Sequence, residues 1–138
     1  MGKQSHVTHA ITYIASGAVR AFRGVGYDNA EADTQGQKVK GVSQRAAADT
    51  EASDVGVAGT TVIEAGAAIA VGDSLIVDDQ GRAIPTTGAL GLDAGATDVT
   101  SSGANGDILT GGDLPEFVFA DALEAAAAAG DFIEAKLR

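Results

Sequence analysis

With 138 residues, 45% of them hydrophobic and 20% charged, the chain has the length and balance of one folded domain rather than a disordered one. The absence of Cys excludes a disulfide framework, a thiolate nucleophile and a Cys-ligated metal, and no run approaches the ~20 apolar residues of a membrane-spanning helix. A net charge of −10 repels nucleic-acid phosphate, so neither a nucleic acid nor a membrane is expected as a partner.

The N-terminal residues Met1 to Ser5 have no hydrophobic segment of signal-peptide type, so synthesis in the cytosol of a host cell is expected, and residues 1–10 read as an N-terminal arm of a single domain spanning 1–138. Ile11 to Ile14 reads as a strand that stops at Ser16-Gly17. Val19 to Val25 alternates apolar with basic residues until Gly26-Tyr27-Asp28-Asn29 breaks it. A polar loop is expected over Ala30 to Gln37, a short strand over Val39 to Val42, and a loop of small and acidic residues over Ala46 to Asp54. The β-branched residues Val55, Val57, Thr60, Thr61, Val62 and Ile63 suit a pleated surface and predict a strand to Glu64.

The clearest passage follows. Ala65-Gly66 turns, Ile69 and Val71 form a brief strand, Gly72-Asp73 turns, and Leu75 to Val77 forms another strand. Asp78-Asp79-Gln80-Gly81 turns again before Ala83-Ile84-Pro85. Residues 86–116 are rich in Gly, Thr and Ser and read as short strands between long surface loops, and Phe117-Val118-Phe119 is a strong β triplet. From Ala120 to Ala129 two readings compete. Alanine favours helix and Gly130 would cap one, but Gly130-Asp131 repeats the phrase Gly72-Asp73 and Gly106-Asp107, each followed by an apolar run. Gly supplies the positive φ of a tight turn, and Asp can accept hydrogen bonds from backbone amides two residues on. The repeat favours strand over Val118 to Ala125, then loop, then a last strand over Phe132 to Leu137. The fold class is therefore all-β: a sandwich or barrel of jelly-roll type with long surface loops and at most one short helix.

Catalytic chemistry finds little support. His6 and His9 stand three apart, but zinc needs three or four protein ligands, so two exposed histidines of an arm are the simpler reading. Neither lies beside a nucleophile-elbow pattern, which argues against a Ser-His-Asp arrangement. Asp78-Asp79 could belong to an acid/base pair, yet Asp-Asp-Gln-Gly fits a turn well. Gly24-Val25-Gly26 is too short for a dinucleotide fingerprint, and the Asp-x-Asp-x-Asp run of a calcium loop is missing. No enzyme activity, cofactor or metal is expected.

Two observations bear on partners. The apolar share is mostly Ala and Val, with aromatics at 4%, so the monomer buries a modest area and association would add stability. A homo-oligomer is expected, a dimer ahead of a trimer. Charge is also uneven: residues 1–45 carry net +3 and the rest −13, so the first third could be an ordinary solvated surface or a face for an acidic partner.

Two families share parts of this pattern. Ile69-Ala70-Val71-Gly72-Asp73-Ser74-Leu75 resembles the hammerhead hairpins of biotinyl and lipoyl carrier domains, but no lysine lies between Lys40 and Lys136 to be modified. Val39-Lys40-Gly41-Val42, Val62 to Asp73, Asp79 to Pro85 and Ala122 to Ala135 together resemble the decoration, or cement, proteins of tailed-bacteriophage heads. This resemblance covers about half the chain, in the family's order. It implies an all-β fold, no catalysis, a place in the virion on the outer capsid surface, and binding to the major capsid protein that stabilises the shell by bridging its subunits. The basic and aromatic residues Tyr13, Arg20, Phe22, Arg23 and Tyr27 are the candidate capsid contacts, because Arg and Tyr most often anchor interfaces. Tyr13 and Phe22 read equally well as core residues. The alternative is a non-catalytic β-sandwich module recognising host-surface glycans, against which the low aromatic count argues.

Overall fold

A computed structural model describes residues 4–87 and 116–138. Eight strands form one sheet: β1 (His6–Ile14), β2 (Gly24–Gly26), β3 (Val39–Ser43), β4 (Ala52–Glu64), β5 (Ser74–Val77), β6 (Ala83–Pro85), β7 (Ala120–Ala122) and β8 (Phe132–Leu137). No helix occurs among the described residues. The hydrogen-bonded order is β2-β3-β4-β8-β7-β5-β6, with β1 attached to β4 outside that path. The ends of the path meet: Gly24 N–H donates to Gly81 O at 2.8 Å, Gly36 N–H donates to Val77 O at 2.8 Å, and Ala65 bridges Ala83 in parallel. The sheet thereby curls into a nearly closed barrel, with β1 paired to β4 alone and its other edge unpaired among the described residues.

The pairing registers reveal that the chain is built twice. β1 pairs with the first half of β4 through Thr12–Asp54, Tyr13–Ser53 and Ile14–Ala52. The second half of β4 pairs with β8 through Val62–Glu134, Ile63–Ile133 and Glu64–Phe132, displaced by 50 and 80 residues. The pairs Gly24–Val42 and Val25–Gly41 between β2 and β3 recur as Ser74–Asp121 and Leu75–Ala120 between β5 and β7. Val42–Gly56 and Ser43–Val55 recur as Asp121–Lys136 and Ala122–Ala135. Outside the strands, Val19 and Ala47 exchange hydrogen bonds of 2.8 and 2.9 Å, and Ile69 and Ala126 exchange two of 3.0 Å. Each repeat is thus a four-stranded antiparallel unit, and the long strand β4 ends the first and begins the second.

Burial follows the same division. One hydrophobic cluster holds Tyr13, Ala15, Val19, Val25, Ala47 and Val55, and the equivalent Ile63, Ala65, Ile69, Leu75, Ala126 and Ala135 lie in the other. The second cluster is the larger because Ala32, Val42, Val77, Ala83 and the C-terminal strands join it.

The structure adjusts several expectations. Strand and then loop precede β8, as the Gly-Asp phrase indicates, but the strand is only Ala120–Ala122 rather than Val118 to Ala125; β8 has the expected bounds. β1 begins at His6, so residues 6–10 of the expected arm are a strand paired to β4. β4 starts at Ala52, inside the expected loop, because its first half has β1 and β3 to pair with. Ile69 makes only an isolated bridge, and Phe117 to Phe119 precede β7 rather than form a strand. The expected strands and loops between residues 88 and 115, Gly106-Asp107 included, fall outside the described residues.

The aspartates of the Gly-Asp phrases act differently from expectation. Asp73 Oδ2 accepts from the N–H of Ala70 at 2.8 Å, and Asp131 Oδ2 accepts from Ala127 and Ala128 at 2.9 and 3.2 Å. Both carboxylates reach back over the preceding turn, because the positive φ of Gly72 (89°) and Gly130 (93°) folds the chain over that way. Forward bonding occurs instead at Asp78, whose Oδ1 accepts from the amides of Gln80 and Arg82 at 2.9 and 2.8 Å.

Candidate functional site

The five residues singled out by sequence separate in space. Tyr13 is 4% exposed within the first core, where burial raises the pKa of its hydroxyl. Arg23 is 5% exposed: Nη2 and Nε donate to Glu64 Oε2 at 2.6 and 3.1 Å, and Nη1 donates to Gln80 O at 2.7 Å. Its guanidinium ties the first repeat to the second, so it is consumed inside the molecule. Arg20 is exposed, but Glu31 grips both its backbone amide and its guanidinium, and that hydrogen bonding holds the Arg20 pKa above its ordinary value. Phe22 is half-buried, packs edge-on against Phe132 with centroids 6.0 Å apart, and stands at φ 61° where the second repeat has Gly72. Tyr27 is the most open of the five, 66% exposed.

Tyr27 forms one wall of a surface groove of about 240 Å³. Lys38, Val39 and Lys40 line it from the first repeat, and Phe117, Val118 and Phe119 line it from the second. These triplets are equivalent positions, since Gly41 and Ala120 just beyond them pair with the equivalent Val25 and Leu75. Val57 and its equivalent Leu137 complete the apolar lining, and Arg138 stands at the rim. The groove therefore lies where corresponding segments of the two repeats meet, one carrying lysines and the other phenylalanines.

The cations of the groove are held unusually. Lys38 Nζ lies 5.5 Å from the centroid of Tyr27 and 5.8 Å from that of Phe117, within cation–π range of both rings. Lys40 Nζ lies 5.2 Å from the Tyr13 ring and donates to Asn29 Oδ1, and desolvation lowers its pKa. Among the described residues neither lysine has a carboxylate within 4.0 Å, whereas Arg20, Arg23, Arg45, Arg82 and Arg138 all do. Alternation of Lys-Val-Lys and Phe-Val-Phe was visible in the sequence. That the two triplets face one another required the folded chain. Among the described residues, no group of three or more His, Cys, Asp or Glu could hold a metal, and no helix is long and apolar enough to cross a membrane.

The architecture defined by these registers is an all-β barrel of two tandem antiparallel units. The same fold occurs in the head fiber gp8.5 N base in bacteriophage phi29, whose crystal structure superposes with a TM-score of 0.58, at 20% identity, over 94% of this chain and 95% of that one. No family model and no curated protein matches the sequence. At this identity the likeness is one of fold.

Proposed function

We propose that this chain is a virion structural protein of a tailed bacteriophage, attached to the outer surface of the head through the major capsid protein. The observation that carries the proposal is end-to-end sharing of the fold with the base of a phage head fiber. The resemblance of Val39–Val42, Val62–Asp73, Asp79–Pro85 and Ala122–Ala135 to head decoration proteins supports it independently. In this reading the protein is non-catalytic, is made in the host cytoplasm, and bridges neighbouring capsid subunits as a homo-oligomer. Several weak contacts per molecule then sum to firm attachment through effective concentration.

A rigid barrel with a chemically distinct groove suits that role, because docking to a lattice needs fixed geometry rather than a reactive centre. Exposed Tyr27 and Phe117 beside a groove also suit a glycan-binding module. However, Lys38 lies over both rings, occupying faces on which a sugar would stack. The test is co-sedimentation of the purified protein with heads assembled without it. Saturable pelleting at micromolar concentration is expected, and a protein left wholly in the supernatant would overturn the proposal.

A further inference from the structure

We infer that the groove between Lys38-Val39-Lys40 and Phe117-Val118-Phe119 is the seat of an acidic peptide segment of the capsid partner. The partner's identity rests on the function proposed above, and the chemistry of the segment rests on the groove itself. The chain holds 19 carboxylates against nine Lys and Arg, so a cation left without an anion is unexpected. Among the described residues Lys38, Lys40 and Lys136 have no carboxylate within 4.0 Å while the arginines all do, and of these lysines Lys38 and Lys40 stand together on one wall of the groove. Among the described residues the nearby acids are otherwise placed: Asp121 Oδ1 accepts from Arg138 Nη2 at 2.6 Å, Glu116 Oε1 accepts from the Thr87 amide at 3.0 Å, and Asp28 acts on Lys40 only as a neighbouring charge.

The lining adds a second requirement. Val39, Val57, Val118 and Leu137 give the groove an apolar floor. A segment that alternates acidic with aliphatic residues would meet both, its carboxylates on the lysines and its methylenes on the floor. Incoming carboxylates would also bind Lys38 without displacing it from Tyr27 and Phe117, since a cation can serve a ring face and an anion together. A molecule of net charge −10 repels anions at long range, so the groove selects by short-range fit.

The test separates this inference from the role on the capsid. One arm titrates the full-length protein with hexaglutamate, hexaglutamine and a thymidine hexanucleotide, read by NMR shifts of backbone amides. Hexaglutamate is expected to move Lys38 to Gly41 and Phe117 to Phe119, and hexaglutamine to move nothing. The double variant Lys38→Gln/Lys40→Gln is expected to weaken hexaglutamate binding about tenfold while leaving the melting temperature near that of the parent. Arg45→Gln, outside the groove, is expected to leave the affinity unchanged. Equal affinity of the double variant and the parent, or equal binding of the hexanucleotide and hexaglutamate, would overturn the inference. The second arm repeats co-sedimentation with the double variant. If the parent pellets and the variant pellets equally well, the groove assignment fails and the head-binding role stands. If the parent itself stays in solution, the head-binding role fails, and the peptide arm still decides the chemistry of the groove.

Discussion

Thr50 and Gly130 hold the same place in the two repeats, and only one of them is comfortable there. The amide of Thr50 donates to Ala15 O at 2.8 Å, as that of Gly130 donates to Ala65 O at 2.8 Å, and both residues adopt positive φ, 65° and 93°. A β-branched residue in the left-handed region costs about 1–2 kcal/mol, partly offset in a comparison with glycine by the extra freedom glycine has when unfolded. Thr50→Gly is therefore expected to stabilise the protein by about 0.5 kcal/mol in urea unfolding. Gly130→Ala should destabilise it by about 1 kcal/mol, although a Cβ there would meet nothing within 4 Å. Loss without any clash would identify backbone strain as the cause. Arg23 is the other residue with a large expected effect. Truncating it to Ala leaves Glu64 half-buried without its guanidinium and should cost about 3 kcal/mol, measured by the same unfolding.

At the scale of elements, the turns are stabilised by carboxylates that look backwards. Asp131 satisfies two amides of the Ala127-Ala128 turn before β8, and Asp73 satisfies one before β5. Asp131→Ala should therefore destabilise by about 1 kcal/mol and the matching change at Asp73 by less, a difference that parallel chemical unfolding would reveal. The end of β8 is fastened to β7 and β5, since Arg138 reaches Asp121 and Ser74. Hydrogen bonding from Arg138 holds the Asp121 carboxyl below its ordinary value. A carboxyl with a lowered pKa in the folded state contributes stability that is present above its unfolded pKa of 3.8 and is lost as pH falls through the folded value. Asp121→Asn should accordingly remove part of the acid-limb decline in stability below that pH while lowering stability at neutral pH, as followed by circular dichroism.

Across the whole molecule, duplication explains how a chain with 4% aromatic residues makes a firm body. Each repeat centres one apolar cluster, Ala32 and Val42 of the first joining that of the second, and the shared strand β4 makes them one sheet. Arg23 spans the two repeats, pairing with Glu64 at the end of β4 and with Gln80 O in the turn before β6. Unfolding is expected to be a single cooperative transition, with near- and far-ultraviolet circular dichroism giving coincident curves. Two separate transitions would mean that the repeats are independent despite the common strand.

Local signals decided much of this fold before any tertiary contact was considered. β-branched runs at Val55–Ile63 and Leu75–Val77, and glycines that permit left-handed turns at Gly72 and Gly130, specify strands and corners through short-range sterics. The choice of strand and loop over helix at Ala120–Gly130 was legible for the same reason, because the Gly-Asp phrase repeats. Register, by contrast, depends on which distant residues meet. The duplication is nearly silent in the sequence, where Phe22 stands opposite Gly72 and Thr50 opposite Gly130, since backbone hydrogen bonds preserve a fold without preserving side chains. Burial sorted the five candidate residues the same way: Tyr13 and Arg23 turned inward, Tyr27 outward. Only the closing of the barrel set two lysines against two phenylalanines, because a groove is a property of surfaces brought together from 79 residues apart.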